Sequence, residues 1–368
     1  MPGIVSPGKG SSEKESKDEG MKWFSGTLVK VSGLIVLLFL LAVMLVGCGN
    51  SYEPVRIQGK AIGTTYSITA YGLPENLSPE DLRKGVEQVV AGVNSAMSLF
   101  KPDSELSRFN AYRKDDWFSV SKELAGVVHT AKAVNRITGG AFDITIAPLV
   151  NLWGFGPDKR PEIIPTEDEI KEAKANVGSD LIEVRFDPPA IKKLTPAITL
   201  DLAAIAKGYC VDAVSSWLKV SGISSYMVEI GGEIRTGGVK PDNAPWRIAV
   251  EKPVSMERSV QALISLSGEA MATSGDYRNY YEIEGKRYSH IIDPGTGRPI
   301  THTLVSVSVV DETCSRADAF ATGLTVLGPE KGIALAKECN LSAFFIVKTP
   351  DGLSEIATGD FPQHEKLN

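Results

Sequence analysis

Residues 288–323 read YSHIIDPGTGRPI, THTLVSVSVV and DETCSRADAFATG in unbroken succession. The first run sets His290 just before Asp293-Pro294-Gly295-Thr296-Gly297, a turn-forming stretch whose backbone N–H groups would be free to point at a ligand. Residues 303–310 read as a strand. The last run predicts a helix on which Asp318 and Thr322, four residues apart, leave the same face. A base-like histidine and a pair of oxygen donors suited to a hard cation are therefore joined by one strand.

Working outward, the same mixture recurs. Residues 55–61 and 64–71 predict a hairpin around Gly63. Ser78-Pro79-Glu80-Asp81 opens a helix with Leu82, Val86, Val90, Val93 and Met97 on its buried face. The segment SLFKPDSELSRFN (98–110) reads as turn and loop. A helix from about Ser121 ends at Gly139-Gly140. AFDITIAPLVNLWGFG (141–156) is apolar and broken by Pro148, and Thr166 with Glu169 forms a capping box.

Strands are expected at 182–186 and 196–200, and a helix over DLAAIAKGYCVDAVSSWLKVSG (201–222) in which Gly208 is tolerated. Further strands are expected at 226–230, 246–250, 262–267, 270–274 and 280–283, with GGEIRTGG (231–238) as glycine-rich connection. The helix carrying Asp318 should end at Gly328. Another starts at Pro329, and 342–348 makes the last strand. Strands come in runs with helices interspersed, so the fold class is α+β with mixed or antiparallel sheets. No strand-GxGxxG-helix unit exists, which argues against the usual dinucleotide fold.

At 368 residues the chain makes one large domain or two moderate ones. Its net charge of −6 and lack of a basic run exclude nucleic acid as a partner. Residues 1–20 have the composition of a disordered extension. Lys22 and Lys30 then precede an apolar run at 34–46, about thirteen residues, against the ~20 that a bilayer-spanning helix needs. That is an export signal over 21–47, with Met21 an alternative start. Small residues before Cys48 resemble a bacterial lipobox, in which Cys48 is lipidated, 48–54 form a tether, and the protein sits on the periplasmic side of the cell envelope. Cys210, Cys314 and Cys339 match no zinc pattern and read as buried free thiols, with one disulfide open.

Four histidines permit elimination. His129 falls off its helix's inner face, His364 lies in the C-terminal stretch, and His302 sits in a loop, where it could be exposed or line the site. His290 stands where a side chain reaches a cleft. Asp318 and Thr322 offer only oxygen, as Mg²⁺ prefers, although an Asp near a helix start also complements the macrodipole. Lys207 lies near a helix N-terminus and could reach a phosphate, or be a surface lysine after a capping Asp201. Phe100, Phe142, Trp153 and Phe155 could stack on a planar ring or fill the core. Together these groups suit a dinucleotide with a pyrophosphate.

The ordered blocks IGTTYSI (62–68), KPDSELSRFN (101–110), GAFDIT (140–145), PLVNLWGFG (148–156), DLAAIAKGY (201–209), GGEI (231–234), SHIIDPGTG (289–297) and ADAFATG (317–323) resemble the ApbE family of FAD:protein FMN transferases, from about residue 57 to 344. The resemblance implies one catalytic domain over 55–350, of two related α/β lobes like the T-fold with FAD in the cleft between them, and a C-terminal tail at 351–368. It implies that Ile62, Phe100, Ala141, Phe142, Asp143, Asp201, Lys207 and Ile292 bind the flavin nucleotide. Asp318, Thr322 and the carbonyl of Ala204 would hold Mg²⁺, and His290 would be the catalytic base. Ile62, Phe100 and Glu233 depart from the residues commonest in the family at those places (Met, Tyr or Trp, and Asp).

By the same resemblance, the acceptors are extracytoplasmic flavoproteins such as subunits of the sodium-pumping NADH:quinone reductase (NQR) or the RNF complex. They are flavinylated on Thr in a motif like Asp-x-x-(Ser/Thr)-Gly-Ala-Thr, which this chain lacks. The alternatives are an FAD diphosphatase releasing FMN and AMP, and a non-catalytic FAD-binding lipoprotein.

Overall fold

The computed structural model describes residues 53–157, 163–252, 260–275 and 280–366. The expected extension (1–20), the signal segment (21–47), Cys48 and the tether up to residue 52 lie outside the described residues.

Eight strands form one sheet: β1 (Val55–Ala61), β2 (Thr64–Tyr71), β3 (Ser225–Ile230), β4 (Glu233–Gly237), β5 (Ala270–Gly275), β6 (Leu304–Asp311), β7 (Ser342–Thr349) and β8 (Gly352–Thr358). Their order in space is their order in the chain, and every neighbouring pair is antiparallel. β1–β4 and β5–β8 repeat one plan: two antiparallel strands, a helical crossover, two more antiparallel strands. The related lobes are thus halves of a single sheet, joined where Ala270 pairs with Arg235 and Met271 with Ile234.

Among the described residues seven α-helices complete the frame: α1 (Pro79–Met97), α2 (Glu105–Ala111), α3 (Lys122–Ile137), α4 (Ala147–Leu152), α5 (Glu167–Lys174), α6 (Ala203–Val220) and α7 (Cys314–Glu338). Alternation along the strands gives the sheet two apolar faces. Ile68, Val228, Ala272, Val307, Val309 and Phe345 share a core with α1, α6 and α7. Met271, Phe344 and Ile346 point the other way, against Trp246, Ile248, Ile264 and Leu266 of a three-stranded sheet. Covering both faces keeps the central strands dry and rigid, which is what a precise site needs beneath it. Each fully buried aliphatic or aromatic side chain contributes about 1.5–3 kcal/mol of transfer free energy.

Local signals explain the helix ends. Ser78 caps α1 by accepting from the Asp81 N–H at 3.1 Å, with Pro79 next. Thr166 and Glu169 form the reciprocal capping box. α7 bends at Gly328 (φ 76°, ψ −176°), so helix ends and restarts at Pro329, where the sequence places the break.

Five expectations change. Residues 105–111 are helix rather than loop, because Ser104 caps them through the Ser107 N–H at 2.9 Å. Pro148 begins α4 instead of breaking a segment, since its missing N–H costs nothing in a first turn. The strand after Ile182–Phe186 is Pro189–Lys193, not 196–200, and the two pair antiparallel; a tight connection lets the chain fold straight back. Residues 233–237 of the glycine-rich stretch are a central strand. The expected tail is no tail either: β8 zips onto β7, and Glu365–Lys366 pairs with Leu263 and Ala262. The sheet therefore continues beyond residue 350.

One lysine inside the core has a measurable consequence. Lys193 is 1 % exposed, and its ammonium donates to the carbonyls of Asn110 (3.1 Å) and Tyr112 (3.0 Å), closing the C-terminal end of α2. Burial, with a smaller push from Arg113, lowers its pKa to about 8. The unfolded chain therefore binds more protons between pH about 8 and about 10.5, and stability rises with pH across that window. Denaturant unfolding at both ends of the window should show the native protein improving relative to Lys193→Met by roughly 1–3 kcal/mol.

Candidate active site

α6 and α7 lie side by side above the join of the two half-sheets. Their close approach depends on Gly208: a Cβ there would stand 2.4 Å from the Cys314 carbonyl oxygen. The Gly208 N–H donates to Asp318 Oδ2 at 3.1 Å, so the same contact fixes Asp318 next to Lys207. Gly208 is thus required, not merely tolerated. Gly208→Ala should overpack this helix pair and destabilise by about 1–3 kcal/mol, seen as a lower urea midpoint with unchanged m. Cys210 and Cys314, in the same seam, are buried free thiols; Cys339 is free and exposed. Burial pushes the Cys210 thiol up to about 12.

A cavity of about 450 Å³ opens beside this seam. Lys207 Nζ lies 2.8 Å from Glu233 Oε1 and 3.6 Å from Asp318 Oδ1. Both carboxylates are 3 % exposed. Burial alone would lower the lysine's pKa, but Asp318 and Glu233 together hold it above the ordinary value. Burial, reinforced by Asp318 and opposed by Lys207, pushes Glu233 up to about 7. Glu233 Oε2 is buried without a hydrogen-bond partner. One turn beyond Asp318, Thr322 Oγ1 lies 2.9 Å from Ser274 Oγ of β5.

His290 enters the same cavity from the excursion between β5 and β6. A ladder of aromatic rings supports it. Trp153 stacks on Tyr288 (5.8 Å), Tyr288 on Tyr281 (5.4 Å) and Tyr281 on Phe155 (5.2 Å), and Phe155 meets the His290 ring edge-on at 6.3 Å. The Trp153 indole N–H donates to the Gly297 carbonyl at 2.8 Å, tying the ladder to the DPGTG turn. That turn is not an open nest. The Gly295 N–H bonds Asp293 Oδ1 (2.8 Å) and the Gly297 N–H bonds the Asp293 carbonyl (2.7 Å). The Asx geometry of Asp293 consumes donors that the sequence left available.

A second cavity, about 530 Å³, adjoins the first across Ala203 and Lys207. Ile62 and Phe100 form part of its wall. Ile62 takes φ +37°, a left-handed conformation costly for a β-branched residue, held by the tight β1–β2 turn. Phe100 is 82 % exposed. Its loop is pinned from behind by Ser104 Oγ and Ser107 Oγ, which donate to the Ser98 carbonyl at 2.6 and 3.1 Å. A rigidly mounted, solvent-facing ring is what stacking on a planar ligand requires.

Each residue assigned by resemblance within the described chain lines one of these two cavities. Ile62 and Phe100 fall in the second, Lys207 in both, and Ala141, Phe142, Asp143, Asp201, Ala204, His290, Ile292, Asp318 and Thr322 in the first. Three of them are engaged within the protein itself. Asp143 Oδ1 accepts from the N–H and hydroxyl of Thr145 (2.8 and 2.6 Å), and Oδ2 from the Ser179 N–H (3.0 Å) and Asn135 amide (3.2 Å). Burial still raises its pKa against those bonds. Phe142 is a core side chain. Asp201 accepts from the Ala203 N–H at 2.8 Å and so organises the first turn of α6; burial raises its pKa against that bond.

The sequence assigned no role to Glu233 or Ser274. Ser274 reads as an ordinary strand residue, and only the sheet register brings it under Thr322. Glu233 was visible only as a departure from a family pattern.

Fold and cavities define an α+β domain with two adjoining cavities beside the join of its half-sheets, at a helix N-terminus and a carboxylate-paired lysine. The sequence model of the ApbE family matches residues 62–345, and the chain belongs to that family. It is 46 % identical over 318 residues to the FAD:protein FMN transferase of Vibrio cholerae, covering 86 % of this chain and 95 % of that one. It is 37 % identical over 333 residues to the protein of that name from Escherichia coli K12, covering 88 % and 95 %. Among solved structures, the flavin transferase ApbE from Vibrio cholerae superposes with a TM-score of 0.78 at 45 % identity, over 84 % of this chain and 98 % of that one. The apo flavinyl transferase ApbE of Pseudomonas stutzeri gives 0.77 at 38 % identity, over 84 % and 96 %.

Proposed function

We propose that this chain is an FAD:protein FMN transferase, moving the FMN portion of FAD onto a Thr or Ser hydroxyl of a partner protein and releasing AMP. One observation carries the reading. His290, Lys207, Asp318 and Thr322, from three separate segments, line one cavity that adjoins a second walled by Ile62 and Phe100. The flavin ring stacks on Phe100, and the pyrophosphate crosses the N-terminus of α6 beside Lys207, where helix dipole and ammonium both favour an anion.

The oxygen atom of the acceptor hydroxyl attacks the FMN-side phosphorus. The bond from that phosphorus to the bridging oxygen breaks, AMP departs with that oxygen, and the hydroxyl proton passes to His290. Lys207 adds electrostatic stabilisation next to the pyrophosphate. Asp318, Thr322 and the Ala204 carbonyl would hold Mg²⁺. Their donors are all oxygen, and among the described residues no group of three or more His, Cys, Asp and Glu side chains could hold a metal. That sparse set, beside a buried carboxylate oxygen lacking a partner, suits an ion that keeps waters and takes phosphate oxygens. When bound it neutralises charge on the pyrophosphate.

The acceptors are extracytoplasmic flavoproteins of the NQR or RNF kind, met at the periplasmic side of a membrane to which lipidated Cys48 tethers the chain. The support is the ordered signal pattern ending at Cys48. Cys48→Ala should move the protein from the membrane to the soluble fraction after fractionation.

Incubation with FAD, Mg²⁺ and a peptide carrying Asp-x-x-Thr-Gly-Ala-Thr tests the reaction. A fluorescent peptide with stoichiometric AMP is expected. Free FMN plus AMP would make the chain a diphosphatase, and unchanged FAD would refute catalysis.

A further inference from the structure

Within this site one ion pair has no place in the reaction as written. Lys207 is held at 2.8 Å by Glu233 and stands 3.6 Å from Asp318 Oδ1, while Asp318 Oδ2 is taken by the Gly208 N–H. The Asp318 oxygen not held by Gly208 is therefore already paired with the protein's own cation. Glu233 is almost fully buried yet uses one oxygen only; its Oε2 has no hydrogen-bond partner. The Lys207 side chain is 30 % exposed, so it is not sealed in the core.

We infer that Lys207 is an internal counter-ion which a divalent cation must displace from Asp318, and that Glu233 is the positioning residue that receives it. This rests on the reading of Asp318 and Thr322 as metal ligands. An ammonium and a divalent ion cannot share one carboxylate oxygen in a low-dielectric pocket without strong repulsion. On displacement the ammonium keeps its bond to Glu233 Oε1 and takes the idle Oε2, leaving its third proton for a phosphate oxygen. The spare oxygen is therefore capacity for the displaced charge. Metal and dinucleotide then assist each other in part through Lys207: whichever ligand draws the lysine away from Asp318 makes room for the other.

The test uses Mn²⁺ alone as probe, with free Mn²⁺ followed by EPR in the absence of FAD. Removing the competitor in Lys207→Met should tighten Mn²⁺ binding about tenfold. Glu233→Gln leaves the lysine with Asp318 alone and should weaken binding about tenfold. The double variant should match Lys207→Met, because Glu233 acts only through the lysine. Glu233→Asp keeps the charge but withdraws it by one methylene, and should weaken binding by less than Glu233→Gln. That variant also serves if Lys207→Met does not fold.

Unchanged or weaker binding in Lys207→Met overturns the inference, as does unchanged binding in Glu233→Asp. If Glu233→Gln weakens binding equally with and without Lys207, Glu233 is a direct ligand and the receiving role is wrong. A native protein that binds no Mn²⁺ even with FAD present defeats the metal reading itself; binding indifferent to Lys207 defeats only this one.

Discussion

His290→Ala should bind FAD almost as tightly as the native protein while transferring FMN about 10²–10⁴-fold more slowly, the range for loss of a positioned general base. The separation of the two effects follows from geometry. His290 lies at the cavity wall on the β5–β6 excursion, whereas Lys207 and the N-terminus of α6, where the proposed anion position lies, belong to the other half of the chain. Fluorescence quenching of FAD measures binding, and peptide flavinylation measures transfer. The truncation should cost little stability, because the aromatic ladder from Trp153 to Phe155 persists without the imidazole. Undiminished transfer would remove His290 from the mechanism and leave the site without its proposed base.

Asp318→Asn should abolish dependence on Mg²⁺ and slow transfer by about 10²–10³-fold, comparable to removing a preorganised electrostatic group. The amide still accepts the Gly208 N–H, so the α6–α7 seam is kept and the loss is one of charge. Lys207 retains Glu233, so no unpaired buried charge is created. A variant of unchanged thermal stability that no longer responds to added Mg²⁺ is expected. Full activity with Mg²⁺ would mean that the ion, if used, is held elsewhere.

Much of the site was legible because its residues sit in short blocks with local signatures. Asp318 and Thr322 share a face by helical period alone, and His290 follows from elimination among four histidines. The hairpin turn at Ile62-Gly63 and the kink at Gly328-Pro329 are written in turn and breaker residues. The misreadings have two origins. Ser104 as a helix cap and Pro148 in a helix's first turn are local signals that turn and breaker chemistry masks, whereas residues 233–237 as a strand depend on what lies opposite them. Glycines suggested a loop, yet β4 is held by neighbours on both sides. The DPGTG turn looked like a ligand nest because Asp293's capacity to consume its donors is not visible until the backbone closes.

What the sequence by itself determined are the periodic and punctuated features: an α+β chain, the faces of its long helices, and the chemical kind of its site residues. Tertiary structure alone decided that residues up to 185 positions apart along the sequence, Ala141 and Val326, share one cavity. It also decided that Glu233, not a phosphate, is the partner Lys207 meets first in the protein itself. The reason is physical: period and turn chemistry act over a few residues, whereas the pairing of one buried charge with another is set by how α6 packs against β4, for Glu233, and against α7, for Asp318, the latter through the missing side chain of Gly208.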